Sequence, residues 1–473
     1  MSTAAFTAKL PPGPRVPKLL AGLLVLSNRG LTMERLKERY GDAFTIDLPV
    51  FGRGVVISSP ELVKQMFTAS PDVLVFGESS PLGRVLGPGS LFSLDGERHL
   101  SERRLLLPSF HGDRMKSYEA IIEQEARREM ARWQQDVEFA TLPAFMRITL
   151  NSILRAVFGA EGPHQRRLAE LLPRFVGLAS RLTLMPWAQR DLGPLSPGGR
   201  LARLRRAYDG VIDAMIQETL ADPRLEQRAD VMALLLRAHY DDGSSMSRSA
   251  IADELLTLLA AGHETTATSL AWAVERLRRH PEVLARLQAE ARGGGDAQDG
   301  GSEAPTGLRE PPVASGALRT ATIHEVQRTR PVITATSRLV AAEEFELGEW
   351  RLRKGHRVFA AANLIHSDER FFERALQFEP DRFLARKPDT YTWIPFGGGT
   401  RRCIGAAFAQ MEMDVVLRTL LREFDIHTTA EPGERWHNRG VAFAPARGGR
   451  AIVSRVRRPD AVPADDAAEL VAA

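Results

Sequence analysis

The stretch PFGGGTRRCIGAAFAQ, Pro395 to Gln410, holds the only cysteine in a chain of 473 residues. Glycines at 397, 398 and 399 permit backbone angles and close approaches that a side chain forbids. Cys403 falls at the mouth of a helix expected to begin around Ile404 and to run to about Phe424. Unpaired amides and the helix dipole at such an end favour an anion, and Arg401 and Arg402 add positive field. Gly405 lets the helix approach something flat. A thiolate on a tight loop beneath a planar partner is what an axial haem ligand requires. A buried structural cysteine is the alternative that the residue type leaves open.

Two further clusters could do chemistry. In AAGHETT, Ala260 to Thr266, Gly262 weakens a helix where polar residues enter an apolar run. Glu264 and Thr265 form an acid–alcohol pair able to relay protons from water to a bound ligand. The plain alternative has Thr265 bonding back to a preceding carbonyl and Glu264 reaching solvent. In HEVQR, Glu325 and Arg328 are three apart and share a helix face.

FGGGTRRCIG resembles the F-G-x-G-x-R-x-C-x-G signature of the haem-thiolate monooxygenases, the cytochrome P-450 superfamily. AAGHETT is similar to the family's oxygen-binding A/G-G-x-D/E-T-S/T motif, with His263 in the free position and read as structural. Glu325 and Arg328 resemble the family's E-x-x-R, and FEPDRF, Phe378 to Phe383, its F-x-P-x-R-F segment. The motifs occur in the family's order over about residues 11–456. Two departures are a long insertion and HEVQRTRPV in place of E-T-L-R-x-x-P-P.

The resemblance implies a soluble, bacterial-type P-450 fold, mainly α with a smaller β-rich region, holding haem b between a long distal helix and a proximal cysteine-loop helix. Cys403 is the expected iron ligand. Phe396, Gly397, His99, Arg103, Arg338 and Arg401 are expected around the cofactor, the cations on its propionates. Arg382 should complete a network with Glu325 and Arg328 that locks the cysteine loop. Glu264 and Thr265 are the expected proton-delivery residues. The implied reaction inserts one oxygen atom from O2 into a C–H bond or double bond of a lipophilic small molecule. Electrons would come from NAD(P)H through a separate ferredoxin or flavodoxin and its reductase. Ala261, Val332, Ile333 and Val441 are expected in the substrate pocket, with Gly77–Phe92, Phe175–Trp187 and Gly440–Phe443 around them. Arg103, Arg104 and Arg402 are a candidate docking face for an acidic ferredoxin. A peroxide-driven, isomerising or reducing haem-thiolate enzyme, or a haem sensor without turnover, are the rival readings.

The elements that must position these residues are legible in outline. Apolar spacing near period 3.6 makes residues 97 to 292 almost wholly helical. Its longest helix runs from Ser247 to His280, ~50 Å at ~1.5 Å per residue, and is apolar around most of its circumference over Leu255–Ala273. AFTIDLP, GVVIS, SRLVA, FELGEW and RVFAAANLI read as strands. Ser59 before Pro60 marks a helix start. Breaks at Gly77–Pro88 and Leu184–Gly199 suit pliable covers over a cavity. Residues 1–17 read as an arm, 18–456 as one domain, 293–316 as a flexible surface insertion, and 457–473 as a mobile tail.

Composition excludes several classes. Charge is nearly balanced, 63 basic against 59 acidic residues, so nucleic acid is not an expected partner. One cysteine rules out an intramolecular disulfide or a multi-cysteine metal site and fits a reducing cytoplasm. The apolar run LLAGLLVL is too short to span a bilayer, which needs about 20 residues. A monomer without a membrane anchor is expected.

Overall fold

The computed structural model describes residues 9–456 apart from 28, 78–79, 111, 113, 160, 184 and 294–315. Most of the expected insertion and all of the C-terminal tail lie outside the described residues, as do residues 1–8 of the expected arm. Pro11 and Pro12 lie alongside the first strand, where the Thr45 amide and hydroxyl donate to their carbonyls at 3.0 and 2.7 Å.

The helical side is built around Arg248–Leu277. Ser247 caps its start, accepting from the Ala250 amide at 3.1 Å, and the chain leaves it just before Pro281. Leu255, Leu256, Leu259, Leu270 and Trp272 are fully buried on it. Burial on that scale stabilises by ~1.5–3 kcal/mol per side chain. Helix Thr141–Phe158 packs along it, and the Thr149 hydroxyl reaches across to the His263 carbonyl at 2.9 Å. Helices Arg114–Met130 and Ala406–Glu423 complete this layer and share one continuous apolar core with the long helix.

The β-rich side is a five-stranded sheet in the order Ala43–Leu48, Gly52–Ile57, Arg357–Ala360, Thr336–Val340, Leu74–Val75. Only the pairing of Gly52–Ile57 with Arg357–Ala360 is parallel; the other pairs are antiparallel. Helix Pro60–Thr68 covers it, started by Ser59 and Pro60 as expected. Its Phe67 points toward the cysteine loop. The anticipated break at Gly77–Pro88 contains a short helix, Pro81–Leu86, capped by Ser80, so its C-terminal half is ordered by local chemistry.

Candidate active site: the cysteine loop, a cationic cluster and the long helix

The cysteine loop closes on itself, with the Cys403 amide donating to the Phe396 carbonyl at 3.0 Å. Gly397 and Gly399 take positive φ, 63° and 65°. A Cβ on Gly398 would enter the Phe67 ring, and one on Gly399 would overlap the Phe67 carbonyl. Gly398 and Gly399 are therefore what lets the loop lie against helix Pro60–Thr68. A Cβ on Gly405 would meet no described atom within 4 Å, which leaves a flat approach there. Helix Ala406–Glu423 follows at once.

The Cys403 side chain is exposed by surface area yet hemmed in by protein on almost every side, as at the wall of a deep cavity. Here one expectation is corrected. Burial pushes the thiol up from its ordinary range; the Gly405 amide and the charges of Arg103 and Arg402 oppose this only in part. The loop alone does not make a thiolate, and a bound metal ion is what would remove the proton.

Beside the loop gathers positive charge. His99 is buried, not solvated, and around it lie Arg401, Arg103 and Arg338 with one acid, Asp95, among the described residues. Desolvation and these cations push its imidazole down to about 3. Arg338 is buried on strand Thr336–Val340 and donates to the Ser337 carbonyl at 2.8 Å and the Gly398 carbonyl at 3.3 Å. It forms no ion pair with a described residue, and desolvation lowers its guanidinium to about 9. Arg103 likewise lacks a carboxylate among the described residues. Arg401 departs from expectation: its guanidinium is held by Asp95 and by the Leu91 and Leu94 carbonyls. It braces the segment leading into helix Gly96–Leu106 and has less freedom to bind a carboxylate of the cofactor.

This arrangement fits haem. Buried guanidiniums short of acid partners suit the two propionates of a porphyrin. A cysteine at a cavity wall, beside a glycine with nothing above it, suits the iron and a flat ring.

On the long helix the open positions between its ends cluster at Ala260, Ala261, Gly262 and Thr265, amid residues that are otherwise buried. Ala261 is exposed, as a pocket wall should be. Thr265 donates to the Ala261 carbonyl at 2.8 Å, the plainer of the two expectations for it, which leaves its oxygen lone pairs free to accept. Glu264 does not reach solvent: it is buried and accepts from Arg439 Nε at 2.9 Å. His263 is structural, its Nδ1 on the Leu259 carbonyl at 2.7 Å.

The Glu325–Arg328–Arg382 network forms. Arg328 forks onto Glu325 at 2.8 and 2.7 Å and also donates to the carbonyls of His366, Ala375 and Gln377. Arg382 Nε approaches Glu325 at 3.3 Å and its Nη2 donates to Glu379 at 3.0 Å. The link to the cysteine loop is His366, which the motif does not reveal. Its Nε2 accepts from the Ile394 amide at 3.0 Å, so its Nδ1 carries the proton and donates to the Arg328 carbonyl at 3.1 Å. Ile394 lies two residues before Phe396.

The expected pocket residues are partly gathered. The Gly440–Phe443 turn joins two of the expected regions: the Val441 amide donates to Ser180 Oγ at 3.3 Å and the Phe443 amide to the Val332 carbonyl at 3.0 Å. Val332 is buried in the core, while Ile333 and Val441 are half-buried. Phe175 is a core residue, and Trp187 points outward, 66% exposed. The proposed docking face also dissolves in part: Arg103 faces Cys403, and Arg104 pairs with Asp241 at 3.1 Å. Arg402 remains exposed.

Besides His366, three residues escape the sequence reading: Arg439, Asp95 and Glu412. Glu412 is buried on the cysteine helix, both carboxyl oxygens without a hydrogen-bond partner, near Thr266 of the long helix. Desolvation pushes it well above the carboxylate range. Two surface clefts, of 530 and 760 Å³, contain none of these groups.

Known proteins bear on this geometry. The sequence model of the cytochrome P-450 family matches residues 11–448. A Mycobacterium tuberculosis protein designated cytochrome P-450 138 is 51% identical over 448 residues, covering 94% of this chain and 97% of its own. Cytochrome P-450 137 of the same organism is 38% identical, covering 88% and 84%. Among solved structures, a cyanobacterial CYP120A1 described as retinoic acid bound matches with a TM-score of 0.80 at 21% identity, over 95% of this chain and 100% of that one. At that identity the likeness concerns the fold.

Proposed function

The chain belongs to the cytochrome P-450 family of haem-thiolate monooxygenases, and we propose that it oxygenates a lipophilic small molecule at a C–H bond or double bond, drawing electrons from NAD(P)H through a separate ferredoxin- or flavodoxin-type donor and its reductase. One observation carries the reading: the buried Glu264, tethered to Arg439, precedes Thr265 on the one stretch where the middle of the long helix opens.

When bound, haem b supplies oxygen activation and C–H oxidation, with a thiolate ligand donating electron density to the iron. The chain supplies the rest. Cys403, on a loop braced by Phe67 and by the Glu325–Arg328–His366 chain, offers its sulfur at one fixed place. Arg338 and Arg103 would balance the propionates of the bound haem, with His99 as a neutral donor. Thr265, its own proton committed to Ala261, accepts a hydrogen bond from whatever protonated group lies above it. Glu264 can leave Arg439, whose side chain is over one-third exposed, and carry a proton inward. Ala261, Ile333 and Val441 offer apolar surface that favours a lipophilic guest and excludes water. Exposed Arg402 gives an acidic electron donor a contact beside the cysteine loop.

The test is direct. The purified protein, reduced under carbon monoxide, should give the red-shifted Soret band of thiolate ligation. A compound found by spectral shift should be oxygenated with a surrogate ferredoxin pair and far less with hydrogen peroxide. Thr265→Ala should uncouple electron consumption from product. Unchanged coupling in that variant would remove the proton-delivery assignment, and preferential turnover with peroxide would favour the peroxide-driven alternative.

A further inference from the structure

Strands Trp436–Asn438 and Phe443–Pro445 pair as a hairpin whose turn reaches the middle of the long helix. The turn is firmly held. The Arg439 amide donates to the Ala442 carbonyl at 2.9 Å and the Gly440 amide to Asn438 Oδ1 at 2.7 Å. Gly440 takes a φ of 109°, and a Cβ on it would overlap the Ser180 carbonyl of helix Pro163–Thr183. Trp272 Nε1, on the long helix, donates to the Phe443 carbonyl at 3.0 Å and fixes the return strand. Arg439 is therefore presented from a fixed base.

Only part of its guanidinium is used. Nε donates to Glu264 at 2.9 Å, while Nη1 and Nη2 have no acceptor among the described residues. The Arg439 side chain is 37% exposed and that of Glu264 10%, so the cation keeps an open edge where the acid does not. That edge adjoins the opening in the long helix. Glu264 follows Ala260 and Ala261 by four and three residues and so shares their helix face, and these are positions where the helix opens. Half-buried Val441, two residues after Arg439, adds apolar surface beside it. A guanidinium fork matches a carboxylate. Arg439 and Glu264 already cancel in charge, so a second carboxylate on the fork competes with Glu264 for the one cation. A phosphate group, with nearly twice the charge, would be left unbalanced.

We propose that the substrate is an apolar molecule bearing a carboxylate, and that this group takes Arg439 in competition with Glu264. The proposal rests on the oxygenation reading and narrows its substrate class. It also joins recognition to proton delivery, because a Glu264 released from Arg439 is free to take a proton from solvent.

The full-length haem-loaded protein is titrated by spectral shift with dodecanoate, geranate and phenylbutyrate, each against its methyl ester. At least one acid should bind about ten-fold or more tighter than its ester. Arg439→Gln should bring that acid and its ester to equal affinity. Glu264→Gln removes the competitor, so it should tighten the acid about ten-fold and leave the ester unchanged, the reverse of its effect on product formation. An unaltered reduced carbon monoxide spectrum confirms that each variant is folded. Three results overturn the proposal: no acid bound more tightly than its ester; a preference for the acid that survives in Arg439→Gln; or acid binding that Glu264→Gln leaves unchanged or weakens, which would make Arg439 a solvated partner of Glu264 and nothing more. Acids that bind in the expected pattern yet give no product with a surrogate ferredoxin pair would count against oxygenation and not against the Arg439 site.

Discussion

Arg439 Nε donates to Glu264 Oε1 at 2.9 Å, joining a turn near the end of the chain to the middle of a helix 175 residues earlier. A buried carboxylate thus has its counter-charge on a separate, more exposed side chain. Arg439→Ala and Glu264→Gln should each lower coupled product formation, by ~10²-fold for the latter, the scale of a lost proton-transfer group. Their combination should be no worse than Glu264→Gln alone, because both act on one path. Arg439→Lys should recover part of the loss. Product formed per electron pair is the measurement, and additive losses would show two independent roles.

The glycines of the cysteine loop make a sharper pair of predictions. Gly398→Ala should destabilise by ~1–3 kcal/mol through overpacking on the Phe67 ring. Phe67→Ala in the same chain should restore much of the thiolate Soret band. Gly399→Ala meets backbone, not a side chain, and has positive φ as well, so Phe67→Ala should not rescue it. Urea midpoints and reduced carbon monoxide spectra of the four variants decide the matter.

Arg328 divides its donors between Glu325 and three backbone carbonyls. Removing it leaves a buried carboxylate and orphaned carbonyls. Arg328→Ala should cost ~3–5 kcal/mol and prevent haem incorporation. Arg328→Lys should fall short too, since one ammonium cannot reproduce the fork. Chemical denaturation of the expressed protein, with the haem-to-protein absorbance ratio, reports both effects.

Arg338 is a buried cation with no acid partner among the described residues. If it faces a propionate, Arg338→Ala should release haem roughly 10–100-fold faster, the value of one charge-assisted hydrogen bond. Transfer of haem to excess apomyoglobin measures the rate. An unchanged rate would make Arg338 a brace for the Gly398 carbonyl only.

His366 and His324 are held neutral by burial, down to about 3 and about 4. In the unfolded chain each titrates near 6.5. Their contribution is therefore intact above that pH and is lost as pH falls toward the folded values, because only the unfolded state then takes up protons. Each histidine removes about 1.4 kcal/mol per pH unit below ~6. Urea midpoints at pH 7.5 and pH 5 should differ accordingly, and His324→Phe should flatten part of that dependence.

What the sequence determined by itself is the chemistry carried on short stretches. The glycine–arginine–cysteine loop, the acid–alcohol pair and the Glu325–Arg328 spacing are visible because neighbours along a helix or turn have geometry set by local backbone rules. Ser59 and Ser247 as caps are legible for the same reason. Tertiary structure alone decided what those groups face. Arg439 reaches Glu264, Asp95 takes Arg401, His366 links the buried network to Ile394, and Trp187 turns away from the pocket expected for it. Packing also decided protonation, raising the Cys403 thiol where the local charges alone suggested the opposite. Pairs hundreds of residues apart, and the loss of water around a charge, depend on how whole layers close over one another, and no local pattern encodes that closure.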